Sequence, residues 1–276
     1  MDNLPLEFND SVKEIIHPMP EKEVLLAPGN ASMIFVWCPA GSFMMGSPET
    51  ETGHYVNETL HEEIIENGFW IGKYPVTEEQ YNPLTSKTSL VDELGHLDQC
   101  AAKGNITYKM AVDFCELMNK SLNLDGLVAS LPSSAQWEYA CRAGCTSALN
   151  HGKEITWKYG RCWNLGEVAW NPLDKVDSPQ PVGRKTPNAW GIYDMHGNVW
   201  EWCTDKYIHI SKKGIAAEAR ENLFVVRGGS FKTPPKYCRA ACVKGMFDYT
   251  DKNGKCDHNI YKDFGFRIVL ENAGVK

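Results

Sequence analysis

Sulfur, carboxylate and aromatic side chains are where this 276-residue chain could do chemistry. Its ten cysteines stand at 38, 100, 115, 141, 145, 162, 203, 238, 242 and 256, and none forms a CxxC pair. A structural zinc site, which closes on such paired thiolates, is therefore not expected. The eight histidines are dispersed without HxxxH spacing, and His61-Glu62-Glu63 has no second histidine to complete a zinc-hydrolase helix. No phosphate-cradling glycine loop, dinucleotide fingerprint or GxSxG elbow occurs. Asp251, Asn253 and Asp257 surround Asn253-Gly254, which reads either as a cation loop or, more simply, as an Asn-Gly turn. Richest is the irregular stretch 231–263, which carries Tyr237, Arg239, Phe247, Tyr249, His258 and Tyr261. That mixture of aromatic and cationic side chains suits binding better than ordered catalysis; the alternative is a solvated loop.

Bulk composition narrows the partners. A formal net charge of −7 and a pI near 5.6 leave no basic footprint for a phosphate backbone, so nucleic acid is not an expected partner, and neither is an anionic membrane surface. No stretch approaches the roughly 20 apolar residues of a membrane helix. The opening MDNLPLEFNDSVKEII has early acidic residues and no apolar h-region, which points to a cytoplasmic protein. The N-x-S/T sequons at Asn9, Asn30, Asn57, Asn105 and Asn119 read as chance.

The elements that must position these side chains are short. Residues 1–30 end in the turn-like APGN and read as an N-terminal extension, with one domain over 31–276. Met33–Trp37 is a β run, and Ser42–Gly46 is expected to continue it as a hairpin after Pro39 and Gly41. A second run, Phe69–Tyr74, leads to Thr77, which with Gln80 makes a capping-box pattern for a helix start. Residues 84–104 look like a loop insertion. From Thr107 to about Leu122, Ala111, Phe114, Cys115 and Met118 keep helical spacing and predict one buried stripe. Ser133 and Gln136 form another capping box, opening a helix that runs to Gly144. Later segments are rich in Gly, Asn, Trp and Pro, broken only by β runs at Leu223–Arg227 and Phe266–Leu270.

Six segments, in order and spacing, resemble the formylglycine-generating enzyme or sulfatase-modifying factor family. They are FVWCPAGSFMMGS (35–47), FWIGKYPVTEEQY (69–81), LPSSAQWEYACRAG (131–144), PVGRKTPNAWGIYDMHGNVWEWCTD (181–205), VVRGGSF (225–231) and FGFRIVL (264–270). GNVWEW followed by RGGS and then GFR is the specific part. The resemblance implies an α+β, C-type-lectin-like fold with little regular structure, two main helices, short antiparallel strands, and a C-terminal strand returning to the central sheet.

It also implies sites. Structural calcium would be held by the Asp194 side chain, the Gly197 and Val199 carbonyls and the Glu201 carboxylate, a hard-oxygen set of the kind that ion prefers; turn capping and pairing with basic residues is the alternative. A second calcium site would begin near Asn164. The family oxidase holds Cu(I) between two thiolates five residues apart, and soft sulfur suits that ion. Counted forward from Gly228-Gly229-Ser230-Phe231, those places fall on Thr233 and Cys238, so one sulfur is missing and Cu(I) is not expected. Ser230 matches an active-site serine and Trp200 a nearby tryptophan. Cys238 and Cys242 remain as a shifted pair, while the resemblance also places Cys242 near Cys141, as free thiols or a disulfide. Two functions follow. One is a non-oxidase scaffold binding a ligand, peptide or protein at its C-terminal segment, a diversity-generating variable display protein among its forms. The other is oxidation of a peptide cysteine to formylglycine through Cys238 and a shifted partner, with Ser230.

Overall fold

The computed structural model describes residues 13–16, 22–26, 32–85, 101–122, 124, 126–156, 162–211, 216, 220–250 and 261–274. Asp251, Asn253, Asp257, His258, Cys100, Cys256 and most of the 84–104 stretch lie outside them. In chain order the strands are β1 (Lys13–Ile16), β2 (Lys22–Leu26), β3 (Met33–Cys38), β4 (Gly41–Met45), β5 (His61–Ile65), β6 (Phe69–Gly72), β7 (Leu127–Ser130), β8 (Trp200–Lys206), β9 (Leu223–Arg227), β10 (Lys244–Phe247), β11 (Phe264–Gly265) and β12 (Val269–Asn272). The helices are α1 (Glu78–Leu84), α2 (Tyr108–Ser121), α3 (Ser134–Arg142) and α4 (Trp163–Val168), with 3₁₀ turns at Pro172–Asp174 and Pro235–Tyr237.

A six-stranded sheet runs β1-β2-β3-β6-β12-β7, a four-stranded sheet β10-β9-β8-β11, and β4 pairs only with β5. The C-terminal β12 thus lies between β6 and β7, as the mixed α+β reading requires. Val269 faces both Ile71 and Ser130 across it. The stretch before residue 31 supplies two of these strands: Lys22–Leu26 pairs antiparallel with Met33–Val36. Insertion of β12 between β6 and β7 joins segments well over a hundred residues apart in sequence.

The helices start where local chemistry says they should. Thr107 accepts the Met110 N–H at the head of α2, and Ala111, Phe114, Cys115 and Met118 are all buried. Phe114 stacks on Tyr81 at 5.3 Å and meets Phe266 edge-on at 5.3 Å, so one aromatic cluster joins α1, α2 and the C-terminal segment. Ser133 and Gln136 close a reciprocal capping box on α3, which ends in left-handed Ala143 (φ 45°). Thr77 and Gln80 do the same for α1, with Thr77 N donating to Gln80 Oε1 at 2.9 Å.

Three expectations change. β4 does not form a hairpin with β3, because β2 and β6 already fill both edges of β3; β4 turns away and pairs with β5. Phe266–Leu270 is not one strand: Phe264–Gly265 pairs parallel with β8, Val269 onward pairs with β6 and β7, and buried Arg267 sits at the crossing. A short helix not foreseen, α4, joins the two long helices and the α1 expected at Thr77; its six residues are too few to show a helical period.

Candidate functional site

The charged residues of the sequence motifs meet inside the molecule. On α3, Glu138 accepts Arg142 Nε at 2.9 Å and Nη2 at 2.7 Å through Oε1, while Oε2 takes Arg227 from the end of β9. On β8, Glu201 accepts Arg267 Nε at 2.7 Å and Nη2 at 2.8 Å, and Trp137 Nε1 at 2.6 Å. Arg239 binds Glu58 through two 2.8 Å bonds and Glu51 at 2.6 Å. All three arginine forks are fully buried, so they tie α3, β8, β9 and the 46–58 loop by charge where secondary structure is sparse. Sequence reading had put Arg239 on a binding face. The structure buries it, because two carboxylates contributed from nearly two hundred residues upstream enclose its guanidinium.

The RGGS turn then builds the place where sulfur chemistry was in question. Gly228 and Gly229 both take positive φ (87° and 77°), and a Cβ on Gly229 would lie 2.5 Å from Cys238 Sγ. Only glycine lets the turn pack this closely. Ser230 Oγ donates to Asp263 Oδ2 at 2.5 Å, so the 2.8 Å contact between Ser230 Oγ and Thr233 Oγ1 must carry the Thr233 proton. Both hydroxyls are buried and their protons committed. Asp263, absent from the sequence-derived set, is what completes this chain; its only signal was adjacency to the FGFR segment. Cys238 is fully buried with its sulfur 3.7 Å from the Thr233 carbonyl, and burial pushes its thiol far up. Cys242 is pushed up to about 11 for the same reason, desolvation. The eight described cysteines are all free thiols. Cys141 stands 3.7 Å from His196 Nε2, whose ring also accepts the Asn150 N–H at 2.9 Å and, through Nδ1–H, donates to the Cys238 carbonyl at 2.7 Å. Neutral imidazole alone can make that donor–acceptor pair, and burial lowers His196 to about 4 accordingly.

The loop 194–201 shows a mixed fit to a cation. Asp194 and Asn198 hold left-handed backbone (φ 58° and 65°), and a Cβ on Gly197 would run into the Trp170 carbonyl. Asp194 Oδ2 accepts Gly183 N–H at 2.8 Å, but Oδ1 is buried without a partner. Burial lifts this carboxyl to about 6, nearby Glu201 adding to the effect. An orphaned buried carboxylate oxygen fits a cation beside it. Glu201 fits less well, since Arg267 and Trp137 already engage both its oxygens. The oxygens left for an ion are Asp194 Oδ1 and main-chain carbonyls of the Gly197–Val199 turn. Asn164 donates its side-chain amide to the Glu154 carbonyl at 2.9 Å, an ordinary loop tie.

Of the proposed binding face, β10 carries what remains at the surface. Tyr249 is 52% exposed, and its ring lies 5.6 Å from half-buried Phe247. Tyr261 belongs beneath this surface: fully buried, it accepts the Tyr249 N–H at 2.8 Å and donates to the Phe247 carbonyl at 3.0 Å. It is an anchor, because its hydroxyl satisfies backbone that β10 leaves unpaired beyond Phe247. Tyr237 is half-buried at the 3₁₀ turn, with Lys236 Nζ 4.8 Å and Lys244 Nζ 4.4 Å from its ring; Lys244 also lies 4.8 Å from Tyr55. Arg220 lies over Phe247 at 5.5 Å. Sequence reading missed these cations, although Lys236 and Lys244 lie within the 231–263 stretch itself; they flank Tyr237 near one end of β10, while Arg220 reaches Phe247 at the other.

Comparison with known proteins agrees with this architecture. Residues 22–272 match the sulfatase-modifying factor enzyme 1-like domain. The mouse (Mus musculus) formylglycine-generating enzyme is 30% identical over 187 residues, covering 61% of this chain and 44% of that protein. The chain thus spans less than two-thirds of the length of the curated relatives it matches first. Among solved structures, PvdO from Pseudomonas aeruginosa superposes with a TM-score of 0.70 at 24% identity, covering 90% of this chain and 97% of that one. Treponema denticola variable protein 1 follows at 0.69 and 19% identity, covering 90% and 98%. These structural likenesses show the fold. With the motif residues forming its buried ion pairs and its last strand closing the central sheet, the chain belongs to the sulfatase-modifying factor enzyme 1-like family.

Proposed function

We propose that this chain is a non-oxidase binding member of its family, which captures an acidic, extended protein segment on the face formed by β10 and the Pro235–Tyr237 turn. The observation that supports the first half is the Thr233–Ser230–Asp263 hydrogen-bonded chain, which engages the hydroxyl of Thr233, the residue the family resemblance counts as the first thiolate position. A hydroxyl is too hard a donor to replace sulfur on Cu(I), and Cys238 alone cannot make a two-thiolate site. The shifted pair with Cys242 is disfavoured because both thiols are fully buried and burial raises both, with a charge on Cys242 also opposing one on Cys238, so neither readily becomes the thiolate that copper needs.

For the second half, β10 is the edge of its sheet among the described residues, with Asn57 on the Val243 carbonyl and Tyr261 on the Phe247 carbonyl, and the backbone between those two ties faces outward. A partner strand can add to such an edge, taking affinity from main-chain bonds and selectivity from side chains. Lys244 on that edge, with Lys236 and Arg220 beside aromatic rings, selects acidic partners and discourages pairing with the same lysine-bearing edge of a second copy. The variable protein with the same fold supports reading this scaffold as a display surface. A calcium ion at Asp194 is part of the same reading, as a support for the loop that enters β8.

Two measurements test it. Cu(I) competition on the reduced protein should show no difference between wild type and Cys238→Ser, and no oxygen uptake with a cysteine-containing sulfatase peptide. Thr233→Cys should gain Cu(I) binding. Stoichiometric wild-type binding that Cys238→Ser abolishes, with peptide-dependent oxygen uptake, would restore the oxidase reading. A displayed peptide library should enrich acidic sequences on wild type that fail to bind Tyr237→Ala/Lys244→Glu. Enrichment that survives this variant would remove β10 as the binding face.

A further inference from the structure

A second concave surface lies between α4 and the Pro172–Asp174 turn. It is a half-open cavity of about 400 Å³, within the roughly 300–1,000 Å³ usual for small-molecule sites. Trp163, 62% exposed, and Leu173, 39% exposed, supply its apolar surface. Trp163 and Glu167 are four residues apart on α4 and so share one helix face, with Gly166 between them.

Gly166 is the telling residue. It occupies a helix interior, where glycine costs about 1 kcal/mol relative to alanine. It has no positive φ, and a Cβ placed there would meet nothing within 4 Å. Among the described residues, neither backbone conformation nor close packing explains it. Its one structural effect is an open cavity floor.

The two carboxylates around that floor each have a cationic partner. Glu167 is held by Lys153 Nζ at 2.6 and 2.8 Å, and Asp174 by Lys185 Nζ at 3.1 Å and the Asn171 N–H at 2.9 Å. Each carboxylate retains acceptor capacity beyond these bonds. Lys153 and Lys185 cancel the two carboxylates, and burial lowers His151, which lies 3.4 Å from Glu167, towards its neutral form. An ionic ligand thus gains little net attraction, while a neutral ligand rich in hydroxyls finds carboxylate acceptors. An apolar indole face beside such a set matches a ring that is apolar on its face and polar at its rim.

We infer that this cavity is a binding site for a neutral saccharide, one sugar ring lying against Trp163 with its hydroxyls bonded to Glu167 and Asp174. It does not depend on the β10 face.

Saturation-transfer NMR on the whole chain tests it, with the methyl glycosides of glucose, galactose, mannose and N-acetylglucosamine as probes. Benzoate and benzyltrimethylammonium serve as charged comparators. At least one glycoside should bind wild type, weaken at least tenfold in Trp163→Ala and lose its signal in Gly166→Leu, which fills the floor. Both variants should melt near the wild-type temperature, since one side chain is largely exposed and the other enters open space. No binding by any glycoside, binding that survives both variants, or a preference for either charged comparator would overturn the inference.

Discussion

Arg267→Met is the sharpest test of the idea that buried ion pairs hold this fold. Arg267 is wholly buried and donates to Glu201 twice (2.7 and 2.8 Å), to the Gly72 carbonyl at 2.8 Å and to the Tyr193 carbonyl at 2.9 Å. Methionine fills similar space but supplies none of these bonds. It leaves Glu201 as a buried charge with Trp137 Nε1 as its remaining named donor, a situation that costs about 3–5 kcal/mol. The two stranded carbonyls add roughly 1 kcal/mol more. The total is a large part of the about 5–15 kcal/mol that stabilises an ordinary domain. Urea unfolding followed by tryptophan fluorescence should therefore show a midpoint shift equivalent to about 4–6 kcal/mol. Arg267→Met/Glu201→Gln, which removes the charge along with its partner, should recover about 1–3 kcal/mol, because a neutral amide is cheaper to bury. Arg267→Lys, retaining charge without the fork, should fall between wild type and Arg267→Met, and it provides a readable variant if the methionine protein does not fold. A loss under 1 kcal/mol for Arg267→Met, or a double variant no more stable than the single, would refute the argument.

Two further outcomes can be checked with the same unfolding assay. Ser133→Ala removes the acceptor for the Gln136 N–H at 3.1 Å and should cost about 1 kcal/mol, with Ser133→Thr near wild type. Asp194, pushed up from its ordinary 3.8 to about 6, favours the folded state when protonated. Its contribution is fully present below pH 3.8 and is lost as pH rises through about 6, a change of about 2–3 kcal/mol. Asp194→Asn should flatten that slope and stabilise the chelator-treated protein at pH 7. Added calcium should raise the wild-type Tm and not that of Asp194→Asn; destabilisation by Asp194→Asn in chelator would show that the carboxylate is not strained by burial.

Local signals in the sequence determined the helix starts and the buried stripe of α2. Thr77, Thr107 and Ser133 each act within three residues of themselves, and Ala111, Phe114, Cys115 and Met118 obey a period that needs no partner to be read. Motif order likewise carried the family and its α+β fold. Counting from Gly228 puts Thr233 where the family resemblance asks for a thiolate, and that rests on sequence alone. Sequence alone did not decide which motif residues face a ligand and which face each other. Arg239 and Tyr261 look like surface-binding types, yet one is enclosed by Glu51 and Glu58 and the other clamps the backbone of β10. Burial of a charge or a phenol depends on partners far away in the chain, and no local pattern encodes them. The same holds for Asp263 beside Ser230, the lysines around Tyr237, and the open floor at Gly166. The first joins segments 33 residues apart; the other two lie within short stretches, but which of their side chains face each other depends on how those stretches turn, so tertiary structure decided all three.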